Sequence, residues 1–123
     1  MSFPNSMQNG GTVAIVAGSF AGATTPAVQS GHGFSVSYSG TNFTIIFNRQ
    51  YDGVISIVAS VLNSGHAAAE PCIAVIKSHS VTADTNGGNF VLNILNDAGL
   101  TMGPSNFEAG TEVHFIAILK EDT

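Results

Sequence analysis

Residues 31–47, GHGFSVSYSGTNFTIIF, alternate apolar with small polar side chains at a period of two. Since successive side chains of a β-strand point to opposite faces, this alternation predicts two strands, and the small residues SGTN predict a tight turn between them. The stretch is therefore expected to form a hairpin with one face toward a hydrophobic core. The core-facing residues are Phe34, Val36, Tyr38, Phe43, Ile45 and Phe47.

Comparable runs of β-branched and apolar residues recur along the chain. Seven to eight such short runs, with turn residues between them and no segment of helical period, predict an all-β fold. We expect an antiparallel β-sandwich of jelly-roll type, with Phe90, Leu92, Phe115 and Ala117 completing its core. Besides the hairpin, the predicted strands are residues 12–17, 54–62, 72–81, 90–95 and 112–120.

The organisation expected along the chain is simple. Residues 12–123 are predicted to form one domain, preceded by residues 1–11 as a flexible, polar N-terminal arm. Residues 18–33, rich in Gly, Ala, Ser and Thr, are predicted to be a long connection. Connections of that length in a compact domain are usually functional or become ordered against a neighbouring molecule.

The charge content excludes several classes of partner. Only 9% of the residues are charged while 44% are hydrophobic, and the net charge is −5. A chain with three basic residues lacks the positive surface that binds phosphates, so neither nucleic acid nor an anionic membrane surface is expected as a partner. A surface with so few charges is instead expected to be covered by protein partners.

Several predicted strands carry apolar residues on both faces, whereas the outer face of a two-layer sandwich is normally polar. Either a long loop covers these residues or they form a subunit interface, and the low charge content favours the interface. We therefore predict a homotrimer or another small cyclic oligomer. The predicted interface residues are Ile46, Leu95, His114, Ile116 and Ile118.

The residues capable of chemistry form no recognisable catalytic, cofactor-binding or metal-binding pattern, so no enzyme and no cofactor are predicted. Histidine spacing matches no metal motif, although three copies of His114 around a threefold axis offer either an ion site or simple packing. Cys72, in an apolar run, is expected to be a buried hydrophobe, and Asp84 a turn residue rather than a calcium ligand. The remaining candidates, for which no role is predicted, are His32, His66, His79, Glu108 and Glu112.

A carbohydrate-binding module is the main alternative of another class. Such sites use exposed aromatic platforms in loops, and Phe20, Tyr51 and Phe107 are the aromatic residues in predicted loops. The chain has no tryptophan. Each of the three rings is more simply explained as a loop anchor packed on the core.

The order of these segments resembles a β-rich module of bacteriophage virion proteins. The segments that carry the resemblance are VAGSFAG, GHGFSVSYSGTNFTIIF, QYDGVISIVASV, GGNFVLNIL and VHFIAIL, which together span most of residues 12–120. Such modules occur in small head-decoration (cement) proteins and at tail-fibre tips, are often trimeric, and are broadly similar to complement-type and tumour-necrosis-factor-like jelly rolls. The chain departs from the usual pattern at residues 52–54, where a proline often precedes the strand.

The resemblance implies a non-enzymatic phage structural protein. Because Met1 lies shortly before the first predicted strand, a capsid decoration protein is favoured over a tail-fibre tip or receptor-recognition module. Its expected partner is the major capsid protein of the same virion, and its expected location is the outer head surface after assembly in the host cytoplasm. Phe3, Pro4 and Met7 are the predicted anchors of a capsid-contacting arm.

Overall fold

The computed structural model describes residues 12–63, 72–84, 87–96, 98–103 and 110–121. Within these residues the chain forms eight β-strands and no helix. The predicted arm, residues 1–11, lies outside them. The strands are β1 (Thr12–Ala21), β2 (Val28–Gly31), β3 (Phe34–Ser39), β4 (Asn42–Phe47), β5 (Gly53–Asn63), β6 (Ile73–Asp84), β7 (Gly87–Leu95) and β8 (Thr111–Glu121).

The strands form two four-stranded antiparallel sheets that pack face to face. The first sheet has the order β2-β1-β8-β5, and the second has the order β3-β4-β7-β6. The last two strands occupy central positions, since β8 lies between β1 and β5 while β7 lies between β4 and β6. The predicted all-β fold, an antiparallel β-sandwich, is confirmed.

Aromatic rings from both sheets meet in the core. Phe115 of the first sheet lies 4.8 Å from Phe34 and 5.3 Å from Phe90 of the second, between ring centroids. Phe20 is likewise 5.6 Å from Phe43. Eight of the ten predicted core residues are buried, and Val36 and Tyr38 are partly buried against them. Burial also raises the pKa of the Tyr38 hydroxyl above its ordinary value.

The hairpin of β3 and β4 forms as predicted. Ser39 pairs with Asn42, which leaves Gly40 and Thr41 as a two-residue loop, and Gly40 has a φ of +65°. A positive φ at this position is typical of hairpin turns and favours glycine. From β7, the Asn93 side-chain amide donates hydrogen bonds to the Thr41 carbonyl (2.6 Å) and to Asn42 Oδ1 (2.8 Å), fixing the turn against its sheet.

The prediction of a long connection at residues 18–33 was wrong at both of its ends. β1 continues to Ala21, and β2 returns beside it, with Gly18 paired to Gly31. This pairing needs glycine at both positions. A Cβ on Gly18 would lie 2.5 Å from the Phe34 ring, and one on Gly31 would lie 2.3 Å from the Ala17 carbonyl oxygen. The glycines that suggested a loop therefore permit close approach of two strands.

Candidate interaction surface

The two rows of side chains on β8 face opposite environments. Val113, Phe115, Ala117 and Leu119 are buried in the core, whereas the residues between them are exposed or partly exposed. The outward row is Glu112, His114, Ile116, Ile118 and Lys120. Two isoleucines thus occupy the centre of an outward row, on a strand that lies in the interior of its sheet.

The neighbouring strands extend this apolar surface across the first sheet. We call the following set of outward residues the apolar face: Val13, Ile15 and Ala17 of β1, Ile116 and Ile118 of β8, and Ile55 and Val58 of β5. Ile15 is 66% exposed, Val58 64% and Ile116 50%. No described loop shields these three side chains, so the covering loop considered as an alternative is not found among the described residues.

The strand register makes the apolar face continuous. Ala17 pairs with Ile116, which pairs in turn with Val58, so that one apolar row crosses three strands. In the next row Ile15 pairs with Ile118. Because directly opposed side chains lie about 5 Å apart, the residues of these rows touch one another. The exposed isoleucines and valines therefore form one patch rather than isolated surface residues.

A row of polar side chains lies beside the apolar face, on the same outer surface of the first sheet. His114 lies between Ser19 and Ser60 in register, and its Nε2 is 3.1 Å from Glu112 Oε1. Ser19 Oγ is 3.2 Å from Ser30 Oγ of β2. An open depression of about 410 Å³ lies at the boundary of the two rows, lined among others by Ala17, Val58, Ser60, His114 and Ile116. The surface thus combines apolar contact area with a recess that has hydrogen-bonding groups at one side.

The structure divides the five predicted interface residues between two surfaces. His114, Ile116 and Ile118 lie together on the outer face of the first sheet. Ile46 is paired with Ser35 and Asn89, and Leu95 with Ile73, all in the second sheet. Since the outer faces of the two sheets point in opposite directions, one flat contact cannot use all five residues of a protomer.

The outer face of the second sheet is more polar at its β3 side. Ser35, Ser37 and Ser39 are the exposed residues of β3, and Thr44 lies opposite Ser37 on β4. Apolar outward residues appear toward β6, where Ile73 is 57% exposed and Val75 is 38% exposed. The stronger apolar surface is therefore that of the first sheet.

Five residues of the apolar face were not among the predicted interface residues: Val13, Ile15, Ala17, Ile55 and Val58. Ile15 and Ala17 alternate with the buried Val16, so the period of two in TVAIVA carried the signal. Ile55 is out of phase with its neighbours because a β-bulge lies between Val54 and Ser56. A bulge shifts the alternation by one residue and cannot be located from the pattern alone.

The residues considered for metal binding lie apart. His32 is exposed in the connection between β2 and β3, and His79 is exposed on β6. His114 lies in the polar row of the first sheet. His66 and Glu108 lie outside the described residues. Asp84 is described only as the last residue of β6. In the part of the chain that the structure describes, no group of three His, Cys, Asp or Glu side chains could hold a metal ion.

Cys72 lies directly before β6 and is partly buried. Its thiol donates a hydrogen bond to Met102 Sδ over 3.5 Å, and Met102 itself is buried. The predicted role as a small apolar residue agrees with this packing, although the burial is only partial.

Two of the three aromatic residues considered for a carbohydrate platform are buried. Phe20 is fully buried on β1, not in a loop, and Tyr51 is 7% exposed. The Tyr51 ring makes an edge contact with Phe47 at 5.7 Å, and the Arg49 guanidinium lies 5.1 Å from its centroid. Phe107 lies outside the described residues. Phe20 and Tyr51 thus offer no exposed ring face for stacking on a sugar.

Comparison of the chain with protein-family models, with curated proteins and with solved structures gives no match. Among the described residues no helix is long and apolar enough to cross a membrane.

Proposed function

We propose that the protein is a non-enzymatic structural protein of a bacteriophage virion, a decoration protein that forms homotrimers and reinforces the outer surface of the head. The observation that carries the self-association is the apolar face. The assignment to a virion rests on the resemblance of residues 12–120 to phage modules.

Burial of the apolar face supplies the free energy of association. Fully burying an Ile or Val side chain is worth about 1.5–3 kcal/mol, and Ile15, Val58 and Ile116 each retain half or more of their exposure. Several such side chains per protomer, repeated by a cyclic symmetry, offset the loss of translational and rotational freedom on assembly. The apolar face itself contains no charged residue, so no like charges oppose one another across it.

Attachment to the head follows from multivalency. A trimer presents three identical capsid-binding surfaces, so contacts that are weak singly add to durable attachment to the major capsid protein. In this proposal the arm, with Phe3, Pro4 and Met7, contributes further contacts. Ordering the arm costs about 1–2 kcal/mol per residue in backbone entropy, so it contributes only where it buries apolar side chains.

The alternative use of such modules is at a tail-fibre tip or in receptor recognition. The burial of Phe20 and Tyr51 gives no support to a carbohydrate platform built on these rings. We therefore rank head decoration first.

The test is the position of the protein in the intact particle. Electron cryo-microscopy of virions is expected to show trimeric density on the head at threefold positions, in stoichiometric copy number. Density confined to the tail tip would refute head decoration and support a function in receptor recognition. Absence of the protein from purified particles would refute the proposal. Deleting residues 1–11 and measuring binding to bare heads separates the arm from the trimer body.

A further inference from the structure

The β5 strand forms one lateral edge of the first sheet. Of the described strands only β8 pairs with it, so no described strand bonds the backbone N–H and C=O groups on its other side. β5 extends over Gly53–Asn63, and its regular part follows the bulge at Val54–Ser56. An edge strand of this length is a template for pairing with another strand.

The other three edge strands carry features that oppose such pairing. β2 has four residues, and β3 has six with serines at its exposed positions. β6 is long but presents the exposed Lys77 and His79. Short length and charged residues are the usual means by which natural sheets protect their edges. Residues 53–63 contain no charged residue and no proline, so β5 has neither form of protection.

The composition of β5 makes it complementary to itself. In an antiparallel pair related by a twofold axis at Ser60, Ser60 meets its own copy and Val58 meets Leu62 on the outward face, while Ala59 meets Val61 on the inward face. Such pairing joins two four-stranded sheets into one of eight strands. It also makes the apolar faces of the two copies contiguous, because Val58 belongs to both surfaces.

We propose that β5 pairs edge to edge with β5 of a second copy of this chain. The occupant is a second copy, since β5 matches itself on both faces, whereas the arm contains Pro4, Gly10 and Gly11, which disfavour strands. The contact is made in the plane of the sheet, and the trimer contact is made across its face. One protomer can make both contacts, so β5 pairing would link neighbouring trimers where trimers form. The pairing itself needs no trimer and does not depend on the proposed function.

Residue-resolved amide hydrogen exchange across Ser56–Leu62 tests the pairing. The amides of an unpaired edge strand point alternately toward β8 and toward solvent, so slow and fast exchange alternate along it. At millimolar concentration we expect the solvent-facing amides to slow by at least about tenfold, giving uniformly slow exchange. Dilution to micromolar concentration is expected to restore the alternation.

Matched lysine substitutions separate this contact from the trimer contact. Ser60→Lys adds a charge to the exposed side of the edge strand but lies outside the apolar face, and it is expected to give alternating exchange at every concentration. Ile116→Lys changes a residue of the central strand β8 and disrupts the apolar face. It is expected to leave the exchange of the β5 amides uniformly slow at millimolar concentration. Ser37→Lys, an exposed residue of the second sheet, is the control and is expected to behave as the unmodified protein.

Two results would overturn the proposal. Alternating exchange along β5 in the unmodified protein at millimolar concentration would show the edge to be unpaired, whether or not trimers form. Uniformly slow exchange that persists in Ser60→Lys at micromolar concentration would show that the chain's own residues cover the edge. A failed trimer, by contrast, is detected by its mass and leaves the exchange pattern to be judged separately.

Discussion

Phe115 and Ile116 are adjacent on β8 but face opposite sides of the first sheet, so truncating each to alanine tests the assignment of faces. Phe115 is 3% exposed and Ile116 is 50% exposed. The Phe115 ring contacts Phe34 and Phe90 of the opposite sheet and Phe20 of its own sheet. Removing it takes away the central ring of the contact between the sheets.

The expected costs differ severalfold. Phe115→Ala is expected to lower the free energy of unfolding by about 3–5 kcal/mol, since it leaves a cavity among three rings. Ile116→Ala removes a half-exposed side chain and is expected to cost about 1 kcal/mol or less in the monomer. Against a total stability of about 5–15 kcal/mol, only the first change threatens the fold.

Urea denaturation at concentrations low enough to keep the chain monomeric measures both values. The free energy of unfolding must fall with urea concentration at the same slope in both variants and in the unmodified protein. Equal slopes show that the denatured states are comparable. Comparable losses for the two variants, or a larger loss for Ile116→Ala, would refute the reasoning. A one-residue slip in β8 exchanges the two rows and would produce that result.

Two further substitutions test the fold at positions outside this row. Gly18→Ala places a methyl group 2.5 Å from the Phe34 ring and 2.6 Å from the Ser30 carbonyl oxygen. It is expected to lower the thermal midpoint through a loss of about 1–3 kcal/mol, and an unchanged midpoint would contradict the close approach of β1 and β2. Asn93→Ala removes the amide that donates to Thr41 and Asn42. We expect a loss of about 1–3 kcal/mol in urea denaturation, and a neutral effect would show that the turn does not need this anchor.

The faces of individual strands could be read from the sequence because alternation is a local property. The rows predicted for β3, β4 and β8 agree with the burial of Phe34, Phe43, Ile45 and Phe115. The assignment of each strand to a sheet was not accessible, because it depends on pairing between distant segments. Ile46 and Ile116 were therefore grouped in one interface although they lie in different sheets.

The glycine-rich segment after Ala17 could not be interpreted from composition. Gly18 and Gly31 look like loop residues, yet they are small so that β1 and β2 can approach. Phe20, in the same segment, is fully buried in the core. Its strand identity is set by pairing with β2 and β8, which the local sequence does not encode.

The account depends most on the claim that the apolar face is buried between copies of the chain. Sedimentation equilibrium at micromolar concentration tests it with the unmodified protein, Ile116→Lys and the control Ser37→Lys. The unmodified protein and the control are expected to have the mass of three chains, and Ile116→Lys the mass of one chain with an unchanged circular dichroism spectrum. A compact monomer for the unmodified protein, or a trimer that persists in Ile116→Lys, would contradict the claim.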